Sequence, residues 1–207
     1  MAAPASKTTA DLSGKWLLNK TLSDPTDPAL ALQGIGWLLR KGIGAATITL
    51  TIKHYIDEAG AGATHIDIEQ SASGLSSTHE ARTLDWAARE HKDWLFGRVS
   101  GRSRYITRAE LAALVAPGGE ARDGNWVDSD FLTKDWLEEK TEGGEGGEGS
   151  SEAKLVLSHV AADAGWFATQ AWGFQTIGGE RRHVRNLVVA KGDKFYSFKM
   201  IYDYLSE

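Results

Sequence analysis

The apolar positions follow two different periods within one stretch, Leu30 to Ile52. From Pro28 to Ile43, Leu32, Ile35, Leu38 and Leu39 recur at helical spacing and predict one oily stripe. Asp27-Pro28 places an N-cap and a first-turn proline ahead of it. Gly34, Gly36, Gly42 and Gly44 interrupt the stripe. A glycine costs a helix interior about 1 kcal/mol, so two short helices are expected in place of one rod. From Thr47 strict alternation takes over, with Ile48, Leu50, Ile52, His54 and Ile56 on one face and Thr49, Thr51, Lys53 and Tyr55 on the other. That is the pattern of a half-buried strand. Leu12 to Leu18, containing Gly14-Lys15-Trp16, predicts another strand before the helices.

Alternation continues downstream. Thr64 to Ala72 sets Ile66, Ile68, Gln70 and Ala72 on one face. Thr78 to Ala88 reads as a strand with Leu84, Trp86 and Ala88 inward, although residues 84–91 fit a helical turn equally well. Trp94 to Ile106 predicts one long or bent strand, with Gly97 and Gly101 where a barrel strand coils. On it Leu95, Val99, Ser103 and Tyr105 share one face, and Arg98, Arg102 and Arg104 the other. Residues 109–115 are helix-prone, and Ser129 to Lys140 predicts a short amphipathic helix carrying Phe131, Leu132 and Trp136. Residues 140–152, KTEGGEGGEGSSE, cannot offset their ordering entropy by burial and read as a flexible loop.

The last third returns to strands. Lys154 to Ala161 places Leu155, Leu157 and His159 on one face, and Trp166 to Ile177 groups Gln170, Trp172 and Phe174. Gly178-Gly179 and Lys191-Gly192-Asp193 are turns flanking Arg181 to Ala190, before a final strand from Phe195 to Leu205. Strands joined by turns must pair antiparallel. The expected architecture is therefore mainly β: a closed antiparallel up-and-down barrel of about nine or ten strands. A helical lid over 27–44 would lie between the first two strands, and 109–152 would form a helical and loop insertion. The 207 residues suit one such domain over 1–207, with 1–10 as a disordered tail.

Composition narrows the chemistry. The net charge of −5 argues against nucleic acid as the main partner, and zero cysteines exclude disulfides and thiolate metal sites. Residues 1–10 lack an apolar signal region, and no run approaches the roughly 18 apolar residues of a membrane span. A soluble, cytoplasmic protein is expected. None of the six histidines forms a His-x-His or His-x-x-x-His pair, and no phosphate loop, nucleophile elbow or dinucleotide fingerprint is present. Neither metal nor cofactor is expected.

Gly14-Lys15-Trp16-Leu17-Leu18, then Gly34-Ile35-Gly36-Trp37 with Arg40-Lys41, and Gly44-Ala45-Ala46 running into a strand, resemble the start of an intracellular fatty-acid-binding protein of the calycin superfamily. The resemblance covers residues 12–52 and implies a lipocalin-like, lipid-binding β-barrel beneath a two-helix lid. It also implies a buried Arg and an Arg-x-Tyr pair on the final strand that grip a carboxylate. This chain departs there, because its final strand, Phe195 to Tyr204, has no Arg-x-Tyr. Arg185, one strand earlier, is the best remaining anion anchor; a surface arginine beside Arg181 and Arg182 is the alternative.

The inward faces are mostly apolar but carry His54, Gln70, Ser103, His159, Gln170 and Arg185 or Asn186. Apolar walls with a few convergent polar groups describe a small-molecule pocket. With Trp37 at the lid, Trp86, Tyr105, Trp172, Tyr196 and Tyr202 complete the candidate ligand-binding set. The expected function is binding of a small hydrophobic molecule, which is the expected partner. The alternative is a cofactor-independent isomerase, cyclase or hydratase in the same cavity, with His54 or His159 as general acid or base.

Overall fold

The computed structural model describes residues 1–57, 62–73, 76–116, 128–137 and 154–207. Ten strands form one antiparallel sheet. They are β1 (Gly14–Leu18), β2 (Ile48–Ile56), β3 (Thr64–Ala72), β4 (Ser76–Thr83), β5 (Arg89–Asp93), β6 (Gly97–Thr107), β7 (Lys154–Ala162), β8 (Trp166–Ile177), β9 (Glu180–Lys191) and β10 (Lys194–Ser206). Four helices accompany them: α1 (Asp27–Leu32), α2 (Trp37–Ala45), α3 (Arg108–Val115) and α4 (Ser129–Leu132). The sheet order is β4-β3-β2-β1-β10-β9-β8-β7-β6-β5, an up-and-down meander in which the first and last strands pair. No helix among the described residues is long and apolar enough to cross a membrane.

The sheet curls into a half-barrel whose ends, β4 and β5, share no ladder among the described residues. The expected closed ladder is thus replaced by local contacts. Asp85 bridges Arg104, the Trp86 N–H donates to the Ser103 carbonyl at 2.8 Å, and Arg82 donates across to the Ser158 hydroxyl at 2.7 Å. Trp86 holds φ +62°, a conformation a side chain disfavours, and this reversal peels the chain away from β4. It also overturns the single strand expected over 78–88, because β4 ends at Thr83 and β5 begins at Arg89. The long strand expected from Trp94 begins only at Gly97.

Gly14 shows why a glycine opens β1. Its φ is +124°, and a Cβ there would lie 2.8 Å from the Ser206 carbonyl oxygen. Here β1 shifts register against β10, between Lys15 and Trp16. Gly173 serves packing: a Cβ would meet Leu155 at 2.7 Å and Trp136 at 3.0 Å, so only glycine lets the Trp136 ring lie flat on β8.

Both faces of the sheet are covered. On the outer face, Leu111 of α3, Leu132 of α4 and Trp136 pack on Leu155, Leu157, Ala171, Val184, Val188 and Ile201. Burial stabilises each large side chain by about 1.5–3 kcal/mol. A Thr107–Glu110 capping box starts α3 where β6 ends. The expected helix over 129–140 is described only as α4 and the turn after it, and the Gly/Glu loop at 140–152 lies outside the described residues.

The first thirteen residues, of which 1–10 were expected to be disordered, instead pack across one end of the half-barrel. Ala3, Lys7, Thr9 and Leu12 are buried. The Ala3 N–H donates to the Arg181 carbonyl at 2.7 Å, and the Arg181 side chain donates to the carbonyls of Pro4 and Lys7 at 2.9 and 2.6 Å. The α1–α2 pair, expected as a lid, lies at the other end. Ala29 of α1 packs with Trp166, Leu187, Val189 and Phe198. Arg40 ties α2 to α1 through Asp27 at 3.1 Å. The stripe expected to run through both helices stops at Ile35, because α2 buries nothing and Leu38 is 77% exposed.

Candidate active site

Register defines the inner face. Across β10, β9 and β8, Met200 lies opposite Arg185 and Arg185 opposite Trp172; one rung further, Tyr202, His183 and Phe174 align. Through β7 and β6 the same face carries Val156, Ser158, Ser103 and Tyr105. Through β2, β3 and β4 it carries Leu50, Ile52, Gln70, Ile68, Glu80 and Arg82. From Val189 beside α1 to Arg181 at the end that the N-terminal segment covers, β9 runs about 26 Å at roughly 3.3 Å per residue.

The two halves of this interior differ. Toward the N-terminal segment, Trp16, Trp172, Phe174, His183 and Tyr202 are buried against one another. Toward the lid, Gln70, Thr78, Glu80, Val99, Gln170 and Met200 are only half-buried, although register turns them inward. Between the halves sits a charged group. Arg82 donates to Glu80 at 2.7 Å and to Ser158 at 2.7 Å. Arg185 is buried at 7% exposure, and its Nε and Nη2 have no hydrogen-bond partner among the described residues. Its guanidinium lies 3.9 Å from the Trp172 ring centre and 5.3 Å from that of Tyr202. The Trp172 indole in turn donates to the Gln170 carbonyl oxygen at 2.9 Å.

Electrostatics favour a charged pair with one arginine to spare. Partial burial works against the Glu80 carboxylate, but Arg82 and then Arg185 outweigh it and hold its pKa below the usual range. Burial pushes Arg185 down, and Tyr202 and Glu80 oppose that. A guanidinium titrates so high that it stays charged nonetheless. An unpaired buried donor costs about 1–3 kcal/mol, more when charged, and the described residues supply no acceptor for Arg185 Nε or Nη2.

The expected site residues separate into three groups. Gln70, Ser103, Gln170, Trp172, Arg185, Tyr196 and Tyr202 line the interior, with Tyr196 stacked on Phe198 near the lid at 5.4 Å. His54 and Tyr105 also face inward, but the N-terminal segment occupies them. The Leu12 N–H donates to His54 Nδ1 at 3.2 Å, so Nε2 carries the proton toward the Tyr105 oxygen at 3.0 Å. Tyr105 then donates to the Thr9 carbonyl at 3.2 Å. Burial lowers the His54 pKa, against the pull of Asp11, and raises that of Tyr105 to about 12.

The remaining three lie elsewhere, which corrects the reading that gathered them inside. His159 is on the outer face, 2.9 Å from the Thr169 hydroxyl and stacked on Phe167. Trp86 lies outside beneath Arg102 and Arg104, whose guanidinium carbons are 4.6 and 4.8 Å from its ring centre. Trp37 is 63% exposed on α2. Of the open pair Arg185 or Asn186, Arg185 faces inward. Sequence reasoning missed Glu80, Arg82 and His183. The inward parity assigned to Leu84 extends back to Arg82 and Glu80 and was the available signal.

The fold is thus a half-barrel whose inner face mixes apolar walls with a buried arginine that lacks partners for Nε and Nη2 among the described residues. No model of a known protein family matches the chain. It is 33% identical to probable pericyclase scpY of Mollisia scopiformis over 205 residues, 99% of this chain and 95% of that protein. It is 27% identical to pericyclase pydY of an Acremonium species over 205 residues, 99% and 97% of the two chains. The chain therefore belongs to the pericyclase family that includes scpY. Among solved structures, the REP1-NXSQ fatty acid transporter superposes with a TM-score of 0.51 over 95% of this chain and 97% of that one, at 17% identity, a likeness of fold alone.

Proposed function

We propose that this protein is a pericyclase: it folds an unsaturated, carbonyl-bearing molecule inside the half-barrel and promotes ring closure through a cyclic transition state. The observation that carries the reading is Arg185, a buried cation between Trp172 and Tyr202 whose Nε and Nη2 have no partner among the described residues. Family membership favours this enzymatic alternative over the plain hydrophobic-ligand binder expected from the barrel.

A pericyclic step forms and breaks bonds by cyclic movement of electron pairs, with no proton transferred to or from the protein. That suits an interior whose histidines are poor acid–base groups. His54 has both nitrogens engaged, His159 faces away, and burial holds His183 neutral with a pKa of about 3. Arg185 would hydrogen-bond a carbonyl conjugated to the reacting double bond and withdraw electron density from it. The bond strengthens as charge develops on that oxygen, so it stabilises the transition state more than the ground state. The aromatic and aliphatic walls would hold the chain folded with its reacting ends together, removing much of the entropic barrier. The finer fold reading, a calycin barrel completed across the β4–β5 seam, is supported by Arg82 reaching Ser158.

The test is incubation with a linear triene ending in a conjugated enone, with stereoisomers of the cyclic product resolved by chiral chromatography. The expected result is acceleration over buffer and one dominant stereoisomer. Binding of the triene with the buffer rate and the buffer mixture of isomers would leave a binder, not an enzyme.

A further inference from the structure

The half-barrel has two candidate mouths. One is beneath the lid, where Pro28, Leu32, Phe195 and Tyr196 border an open groove of about 640 Å³. Below that groove α1 is already packed on the interior, with Ala29 and Leu30 buried. The other is the seam between β4 and β5. Its lower half is shut by the Asp85–Arg104 bridge and by Arg82. Its upper half, between Ser76–Glu80 and Arg89–Asp93, carries no strand pairing among the described residues.

Side chains on both rims report an opening. Glu80 pairs in register with fully packed Ile68 and faces inward, yet its side chain is 44% exposed. Across the seam, His91 lies opposite inward-facing Val99 and is exposed. The two rims are close enough for His91 to favour the Glu80 carboxylate. Directly behind Glu80 stand Arg82 and Arg185.

We propose that substrate reaches the interior through the upper β4–β5 seam, passing between Glu80 and His91, and not beneath the lid. The seam leads straight to the spare arginine, whereas the lid route must first displace α1. This inference rests on the interior being the active site.

The chain has no cysteine, so single cysteines can be labelled cleanly. His91→Cys and Phe195→Cys, each with and without a bulky fluorescein maleimide, place an obstruction at one mouth or the other. Association of the apolar dye anilinonaphthalene sulfonate is followed by stopped flow. Labelled His91→Cys should slow association at least about tenfold. Its unlabelled form and both forms of Phe195→Cys should match wild type. Slowing by the Phe195 label, or by neither label, overturns the seam route. Seam-dependent uptake without turnover of the triene would instead leave the route standing and defeat the pericyclase reading.

Discussion

Arg185 and Asn186 are neighbours on β9, both buried, and they point to opposite faces of the sheet. Asn186 is fully employed: its amide donates to the carbonyls of Phe131 and Lys134 at 3.1 and 3.2 Å and accepts from Gln175 at 3.2 Å. It fastens the α4 segment to the sheet. Arg185 has its charge balanced at a distance and two donors unspent. One buried polar residue is explained by the fold, and the other is not. That difference separates structural polarity from functional polarity better than burial or residue type.

The comparison breaks most visibly if Arg185→Leu leaves catalysis intact. Loss of the donor should lower kcat/KM on the order of 100-fold. Removing a buried charge without a close partner should at the same time leave the melting temperature unchanged or raised. Arg185→Lys should recover little, because a point charge cannot reproduce the fork.

Asn186→Ala should do the reverse. It strands the Phe131 carbonyl, while Lys134 keeps its hydrogen bond from Gln175, and should cost about 1–3 kcal/mol in denaturant unfolding, with kcat/KM per folded molecule retained. A catalytic loss as large as that of Arg185→Leu would erase the distinction.

A third, smaller effect lies in pH. His183 has its pKa lowered from 6.5 to about 3, chiefly by burial and then by Arg185. The unfolded chain therefore takes up its proton first as the pH falls. The stability that neutral His183 confers is fully present above 6.5 and is lost progressively toward pH 3. His183→Gln should flatten that slope in chemical-denaturation titrations. The smallest catalytic effect is expected for His54→Gln, which should lower the melting temperature by loosening Leu12 and Tyr105 while leaving kcat/KM unchanged.

Much of the framework was legible in the alternation. β2, β3 and β7 to β10 follow it, and Tyr196 and Tyr202 of β10 do face inward. The sides were harder. Leu155, Leu157 and His159 do share a face, but that face lies outside, under Trp136 and Leu132. Alternation tells inside from outside only when one face is wet. Here the insertion supplies a second core, so β9 is buried at nearly every position. Arg185 and Asn186 were indistinguishable for that reason. β4, SSTHEART, is polar on both faces, so only the parity of Leu84 just beyond it pointed to the inward turn of Glu80 and Arg82. At Trp86 the left-handed backbone breaks the period altogether.

The most direct test of Arg185 as the polarising donor is the infrared carbonyl stretch of an isotope-labelled conjugated ketone bound to the protein. In the wild type the stretch should move to lower frequency than in apolar solvent, and Arg185→Leu, binding the same ketone, should return it. Identical frequencies in the two proteins would show that Arg185 does not touch the carbonyl, and the account of catalysis would fall with it.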